Sequence, residues 1–248
     1  MRKPFALANW KMAMTIPQGL TFVRQLLPLV DDLTDQVDVV ICPPYTAIST
    51  VREVLVDANI ALGGQDLWAD PDTSHTGAIS GRLLVDAGAE WVLVGHWEIR
   101  RRLGEDDAAI QRKVRAALDA GLRPILLIGE PDGTTFDPHR LSILLADCLP
   151  EEIAQMAFVY EPEGAIGRSD PVPPEHAAEG CRAIRTWLRD WWGQPVSTQA
   201  RIIYGGSVTP EHAPDLVADP DVDGLGVGRK GRDPVAFAEI IRIISRTV

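Results

Sequence analysis

The sequence predicts an α/β protein, a (β/α)8 barrel folded as one domain over residues 1–248. Three observations carry that expectation. Eight short runs rich in Val, Ile and Leu recur along the chain, each followed by a stretch with helix signals. The runs are nearly continuous in apolarity rather than alternating, as strands buried on both faces are. Eight such units in 248 residues match the length of roughly 250 residues typical of this architecture. A doubly wound open sheet ranks second, because it usually needs fewer strands. No linker, charge block or low-complexity run marks a second domain.

In chain order, strands are expected near 5–11 (FALANWK), 37–42 (VDVVIC), 59–64 (NIALGG), 90–95 (EWVLVG), 122–128 (LRPILLI), 157–161 (AFVYE), 201–205 (RIIYG) and 222–227 (VDGLGV). Pro17 opens the helix after the first strand. Glu105, Asp106 and Asp107 precede an Ala-rich run to Leu118, and carboxylates favour a helix N-terminus. Thr209-Pro210-Glu211 and Asp233-Pro234 each set a proline at a first helical position. The Pro-rich patch Asp170 to Pro174 reads as a stiff loop within the sixth unit, orienting a helix that starts near Glu175.

Composition narrows the function. A net charge of −11 argues against nucleic acid and acidic membrane surfaces as partners. An anionic substrate then needs a local positive site. No apolar run is long enough to span a bilayer, and the first residues do not read as a secretory leader. The three cysteines, Cys42, Cys148 and Cys181, are odd in number and widely spaced, which points to a reducing, cytoplasmic setting. There is no C-x-x-C, and the five histidines lack metal-ligand spacing, so no metal is expected.

In such a barrel the active site lies at the carboxyl ends of the strands, and the unusual residues fall there. Asn9 and Lys11 end the first strand, on the same side by strand alternation. His96 and Glu98 follow the fourth. Glu161 ends the sixth, where VYEPEGAIG delivers a carboxylate, then a proline, then small residues. That is a general base beside a mobile lid. Gly205-Gly206-Ser207 ends the seventh strand, and Gly226, Gly228 and Arg229 end the eighth. A carboxylate removes a proton beside a carbonyl only if preorganised donors stabilise the resulting oxyanion. An imidazole and an ammonium from other strand ends meet that need. Each residue alone has a plainer reading: a solvated loop glutamate, a snorkelling lysine, a structural histidine. Their convergence on one barrel face argues for catalysis. GVGRKG at 226–231 formally matches G-x-G-x-x-G, but it stands at the last strand with no βαβ unit after it. A dinucleotide site is not expected there.

NWKM (Asn9 to Met12), GGQD (Gly63 to Asp66), TGAIS (Thr76 to Ser80), GH-x-E (Gly95 to Glu98), IGE (Ile128 to Glu130), YEP…AIG (Tyr160 to Gly167) and YGGSV (Tyr204 to Val208) occur in this order. Over essentially its full length the chain resembles the triosephosphate isomerase family, whose fold is the TIM barrel. The resemblance implies an aldose–ketose isomerase working through an enediolate, without cofactor. It implies Glu161 as the base, His96 as the neutral electrophile, Lys11 as fixed positive charge, Asn9 as an oriented amide and Glu98 as the acidic partner of the lysine. Gly167, Gly206, Ser207, Gly228 and Arg229 match the phosphate cradle, where backbone N–H groups approach an anion closely. The family is dimeric. Thr76 resembles the residue that reaches a neighbouring subunit's site, and Gln65 lies on the same interface-forming segment.

Four departures from the family pattern bear on function. The lid tip reads Pro162-Glu163-Gly164 in place of Pro-Val-Trp, bringing a charge near an anionic substrate. Trp97 replaces a small serine, either filling space beside the carbonyl site or reshaping the base's resting position. Arg229 replaces a glycine, with a guanidinium free to grip a phosphate or another polar group. Ala78 and Ile99 replace a glutamate and an arginine that approach each other across the dimer interface. Three functions are compatible with this pattern: a divergent triosephosphate isomerase, a tetrulose-phosphate (erythrulose phosphate) isomerase of similar mechanism, or a sugar-phosphate-binding protein with little turnover.

Overall fold

The computed structural model describes residues 2–70 and 73–247. Its eight strands are Phe5–Asn9 (β1), Asp38–Cys42 (β2), Ile60–Gly64 (β3), Trp91–Val94 (β4), Arg123–Ile128 (β5), Ala157–Tyr160 (β6), Arg201–Gly205 (β7) and Gly224–Val227 (β8). Each pairs in parallel with the next, and β1 closes on β8 from Phe5↔Gly224 to Ala8↔Val227. The sheet is therefore a closed barrel, not the open sheet ranked second.

Near-continuous apolarity is explained by two cores. Phe5, Leu7, Val40, Trp91, Leu93, Ile125, Leu127, Val159 and Ile203 fill the barrel. The alternate positions, such as Ala6, Ala8, Val92, Leu126 and Phe158, pack outward against the helices. Successive strand side chains point to opposite faces, so burying both faces makes every position apolar. Inside the barrel Phe5 meets Trp91 edge-on at 5.1 Å.

The helices are Ile16–Val30 (α1), Ile48–Val54 (α2), Gly81–Asp86 (α3), Trp97–Leu103 (α4), Asp107–Asp119 (α5), Leu141–Leu144 (α6), Pro150–Ile153 (α7), Pro174–Trp192 (α8), Gln194–Gln199 (α9), Ala213–Leu216 (α10) and Pro234–Ser245 (α11). Their starts follow the sequence signals. Pro17 sits in the first turn of α1. The Asp106 carboxylate caps α5 by accepting from Ala109 N, and Asp233 caps α11. α8 buries Ala177, Cys181, Ile184 and Leu188, a stripe at helical spacing.

Two boundaries differ from expectation. β1 stops at Asn9, and Lys11 lies beyond it at φ 51°. Its side chain is therefore aimed by a left-handed turn, not by strand alternation. Pro210 does not begin a helix: residues 210–212 form turns, and α10 starts at Ala213. Among the described residues no helix is long and apolar enough to cross a membrane.

Candidate active site

A cavity of about 430 Å3 opens at the carboxyl ends of the strands. Leu7, Leu93, Leu127 and Val159, side chains of the barrel interior, line it together with Asn9, Lys11, His96 and Glu161. Gly167, Gly206, Ser207, Gly228 and Arg229 also line it. Glu98 is not on the wall; it stands behind Lys11.

Glu161 is one residue past β6, its N–H donating to the Ile128 carbonyl at 2.9 Å. The side chain is buried, and Oε2 has no hydrogen-bond partner among the described residues. His96 Nε2 lies 3.6 Å from that oxygen, a contact too long for a hydrogen bond. His96 is itself buried at 5% exposure. It precedes α4, and its Nδ1 accepts the Glu98 N–H at 3.1 Å. An acceptor at Nδ1 places the proton of the neutral ring on Nε2, facing the cavity.

Lys11 Nζ donates to Glu98 Oε1 at 2.9 Å. Burial raises the Glu98 carboxyl pKa, but the Lys11 hydrogen bond and charge outweigh it, so the carboxyl is held below its ordinary range. The strained Lys11 backbone is tied down twice. Its N–H donates to Asn9 Oδ1 at 2.9 Å, and its carbonyl accepts from Gln65 Nε2 at 2.9 Å. Gln65 also donates to the Cys42 carbonyl at 3.0 Å. Gln65 thus holds the site's lysine within this chain, a role its sequence context did not signal. Thr76 is exposed.

The segment after Glu161 lies down along the cavity, anchored at both ends. At its start, Trp97 Nε1–H donates to the Glu161 carbonyl at 2.9 Å in a buried contact. Of the two possibilities for Trp97, the ring does not take the first: it does not line the cavity, and it touches the backbone of Glu161. The Glu163 carboxylate also departs from expectation. It turns away from the cavity, accepting from Arg101 Nε and, at 2.8 Å, from Asp132 N. Burial raises its pKa, but those two donors outweigh it, so the carboxyl sits below its ordinary range. At the far end, Ser207 Oγ is within reach of the Ala165 and Arg168 carbonyls, at 3.0 and 2.8 Å. The Val172 N–H donates to Tyr204 Oη at 3.2 Å. The Arg229 guanidinium donates to the Arg168 carbonyl, so it holds the segment's far end as well as lining the cavity.

Two glycines have geometric reasons. A Cβ on Gly129 would lie 2.2 Å from the Glu161 carbonyl oxygen. Gly206 adopts φ +134°, and a Cβ there would meet Tyr204 Oη at 2.8 Å. Lys230 and Arg232 line the cavity too, although the sequence singled out neither. The RKGR run at 229–232 was the available signal. Likewise, the WEIRRR run of α4 beside an acidic lid tip hinted at the Arg101–Glu163 contact. Among the described residues, no group of three His, Cys, Asp or Glu side chains could hold a metal ion.

Comparison with known proteins follows the same outline. A family model described as triosephosphate isomerase matches residues 4–244. The chain is 38% identical to a triosephosphate isomerase of Chloroflexus aurantiacus, over 97% of this chain and 99% of that protein. It is 39% identical to one from Symbiobacterium thermophilum, over 97% and 96%. The fold is similar to the crystal structure of triosephosphate isomerase from Bartonella henselae, with a TM-score of 0.84 at 29% identity over 97% of this chain and 98% of that one. With its motifs in order on a closed barrel and these matches running nearly end to end, the chain belongs to the triosephosphate isomerase family.

Proposed function

We propose that this protein interconverts dihydroxyacetone phosphate and glyceraldehyde 3-phosphate. The observation that carries the reading is the buried Oε2 of Glu161, without a hydrogen-bond partner among the described residues, beside the His96 Nε2 edge. A buried carboxylate oxygen without a partner is costly, and a substrate C–H is one group it could meet. Glu161 takes the proton from the carbon next to the carbonyl and returns it to the neighbouring carbon. The electron pair of the broken C–H bond becomes the new C=C bond as the carbonyl π pair moves onto its oxygen, and His96 Nε2–H donates to the enediolate so formed. The hydroxyl proton passes from one enediolate oxygen to the other before the second carbon is reprotonated, which completes the isomerisation. This family is itself the standing example of a carboxylate base working with a neutral imidazole.

Lys11 supplies positive charge, oriented by Glu98, and Asn9 holds the Lys11 turn. Backbone N–H groups around Gly167, Gly206, Ser207, Gly228 and Arg229 bind the phosphate. The segment from Pro162 to Pro173 excludes water, which keeps the enediolate from losing phosphate. No step needs a cofactor. The names of the relatives favour the triose over a tetrulose phosphate. The retained base and electrophile favour turnover over simple binding.

A homodimer fits the exposed apolar side chains near the loop after β3, among them Trp68 at 44% and Met12 at 94% exposure. A cytoplasmic location fits three buried, free cysteines. Light scattering on the purified protein tests the dimer.

The function is tested by proton–deuterium exchange, followed by NMR, on triose and tetrose phosphates. Exchange and turnover on the triose are expected, with little on the tetrose; a preference for the tetrose would reverse the substrate assignment. Glu161→Gln should lower kcat by about 100- to 10,000-fold while inorganic phosphate still binds. Unchanged activity in that variant would remove Glu161 from the mechanism.

A further inference from the structure

Trp97 touches the backbone of the proposed base, not its carboxylate. Its indole is buried at 9% exposure, and the Nε1–H donates to the Glu161 carbonyl. Two guanidinium groups lie beside the ring. The Arg100 guanidinium lies 5.4 Å from its centroid and that of Arg140 lies 5.9 Å away, both within range of an aromatic face. The two arginines share Asp107, at 2.6 and 2.7 Å. They also bond strand-end carbonyls: Arg100 to Gly95 at 3.0 Å, and Arg140 to Gly129 at 3.3 Å. The indole is thereby referenced to the rims of β4 and β5.

The Glu161 carbonyl also lies against Gly129, where a Cβ would stand 2.2 Å from the oxygen. The Glu161 N–H is taken by Ile128. Both peptides flanking the Glu161 Cα are therefore fixed, one by the sheet and one by the indole. The second is the Glu161–Pro162 peptide, where the lid leaves the barrel. Rotation there swings the lid, and without a restraint it would swing the carboxylate as well.

We propose that Trp97 is a positioning residue for the base: its indole N–H holds the Glu161 carbonyl, fixing the carboxylate beside His96 while the rest of the lid moves. The inference rests on Glu161 being the base. Proton transfer is sensitive to placement on the scale of an ångström, so a loosened carbonyl costs turnover more than binding.

The test is Trp97→Phe, which keeps an aromatic ring beside the arginines and removes the donor. Circular dichroism and melting verify the fold. The expected result is a kcat about tenfold lower, about 1.4 kcal/mol, with KM and the inhibition constant of inorganic phosphate within twofold. A kcat within twofold of the parent overturns the proposal. So does a parallel rise of KM and the phosphate constant, which would place the effect in the phosphate cradle. Gly129→Ala displaces the same carbonyl by direct contact and keeps the indole; it should show the same split, and an unchanged kcat counts against the idea. Combining Trp97→Phe with Glu161→Gln separates the two claims. The tryptophan change should have no further effect on kcat once the carboxylate is gone. A full tenfold effect in that background sinks the positioning role, whereas full activity of Glu161→Gln alone sinks the base.

Discussion

Lys11 shows how a site residue can be read correctly in place and wrongly in cause. Its motif put it in the cavity, and it is there. Strand alternation was the wrong reason, because β1 ends two residues earlier and a left-handed turn aims the side chain. That turn depends on Asn9 and on Gln65, which reaches in from beyond β3. Contacts between residues 54 apart in sequence leave no local pattern. The Lys11–Glu98 pair makes a prediction at this scale. Because the Glu98 carboxyl is held below its usual value, its stabilising effect is present above about pH 4.3 and is lost as pH falls through the depressed value. Melting temperature should therefore drop more steeply between about pH 5 and 3 in the parent than in Glu98→Gln. At neutral pH the variant should lose about tenfold in kcat/KM, because the ammonium loses a charge-assisted tether.

Among the elements, the lid and α4 form a unit. α4 carries Trp97, which holds the lid's first carbonyl, and Arg101, which holds the lid-tip carboxylate. The sequence located the lid and flagged Glu163 and Gly164 as unusual, but it set the charge toward the substrate. The structure turns it outward, because Arg101 and the Asp132 N–H lie on the outer side. Which way a loop carboxylate points depends on neighbours from other loops, which a linear pattern does not encode. Arg101 is 61% exposed at its side chain, so the pair is worth no more than about 1 kcal/mol and salt weakens it. Arg101→Ala or Glu163→Gln should raise KM a few-fold and speed tryptic cleavage at Arg168. Adding salt to the parent should move it toward the variants. Equal cleavage rates for all three proteins would show that the contact does not hold the lid.

For the whole molecule, architecture was the most legible level. All eight strands fall where apolar runs placed them, and it was their number, more than their burial on both faces, that favoured a closed barrel over an open sheet. Helix starts were legible where a cap is local, as at Asp106 and Asp233. They failed at Pro210, where proline fits a turn as well as a helix. Charge distribution was half legible. A net charge of −11 required a local positive site, and Lys11, Arg229, Lys230 and Arg232 line the cavity. This arrangement should steer a dianion inward against the overall repulsion. The expected outcome is that kcat/KM for the triose phosphate falls as salt rises past about 0.1 M, where the Debye length is about 10 Å. Lys230→Ala with Arg232→Ala should flatten that slope while leaving kcat within twofold.

The pairing of α4 with the lid also bears on ancestry and on chimeras. Trp97, Arg101 and Glu163 are of little use apart: a lid-tip glutamate without the arginine leaves a charge unanswered, and a missing indole leaves a buried carbonyl bare. Substitutions at these positions should be epistatic, tolerated together and penalised one at a time. A lid transplanted from a relative should work poorly in this barrel until α4 is exchanged with it.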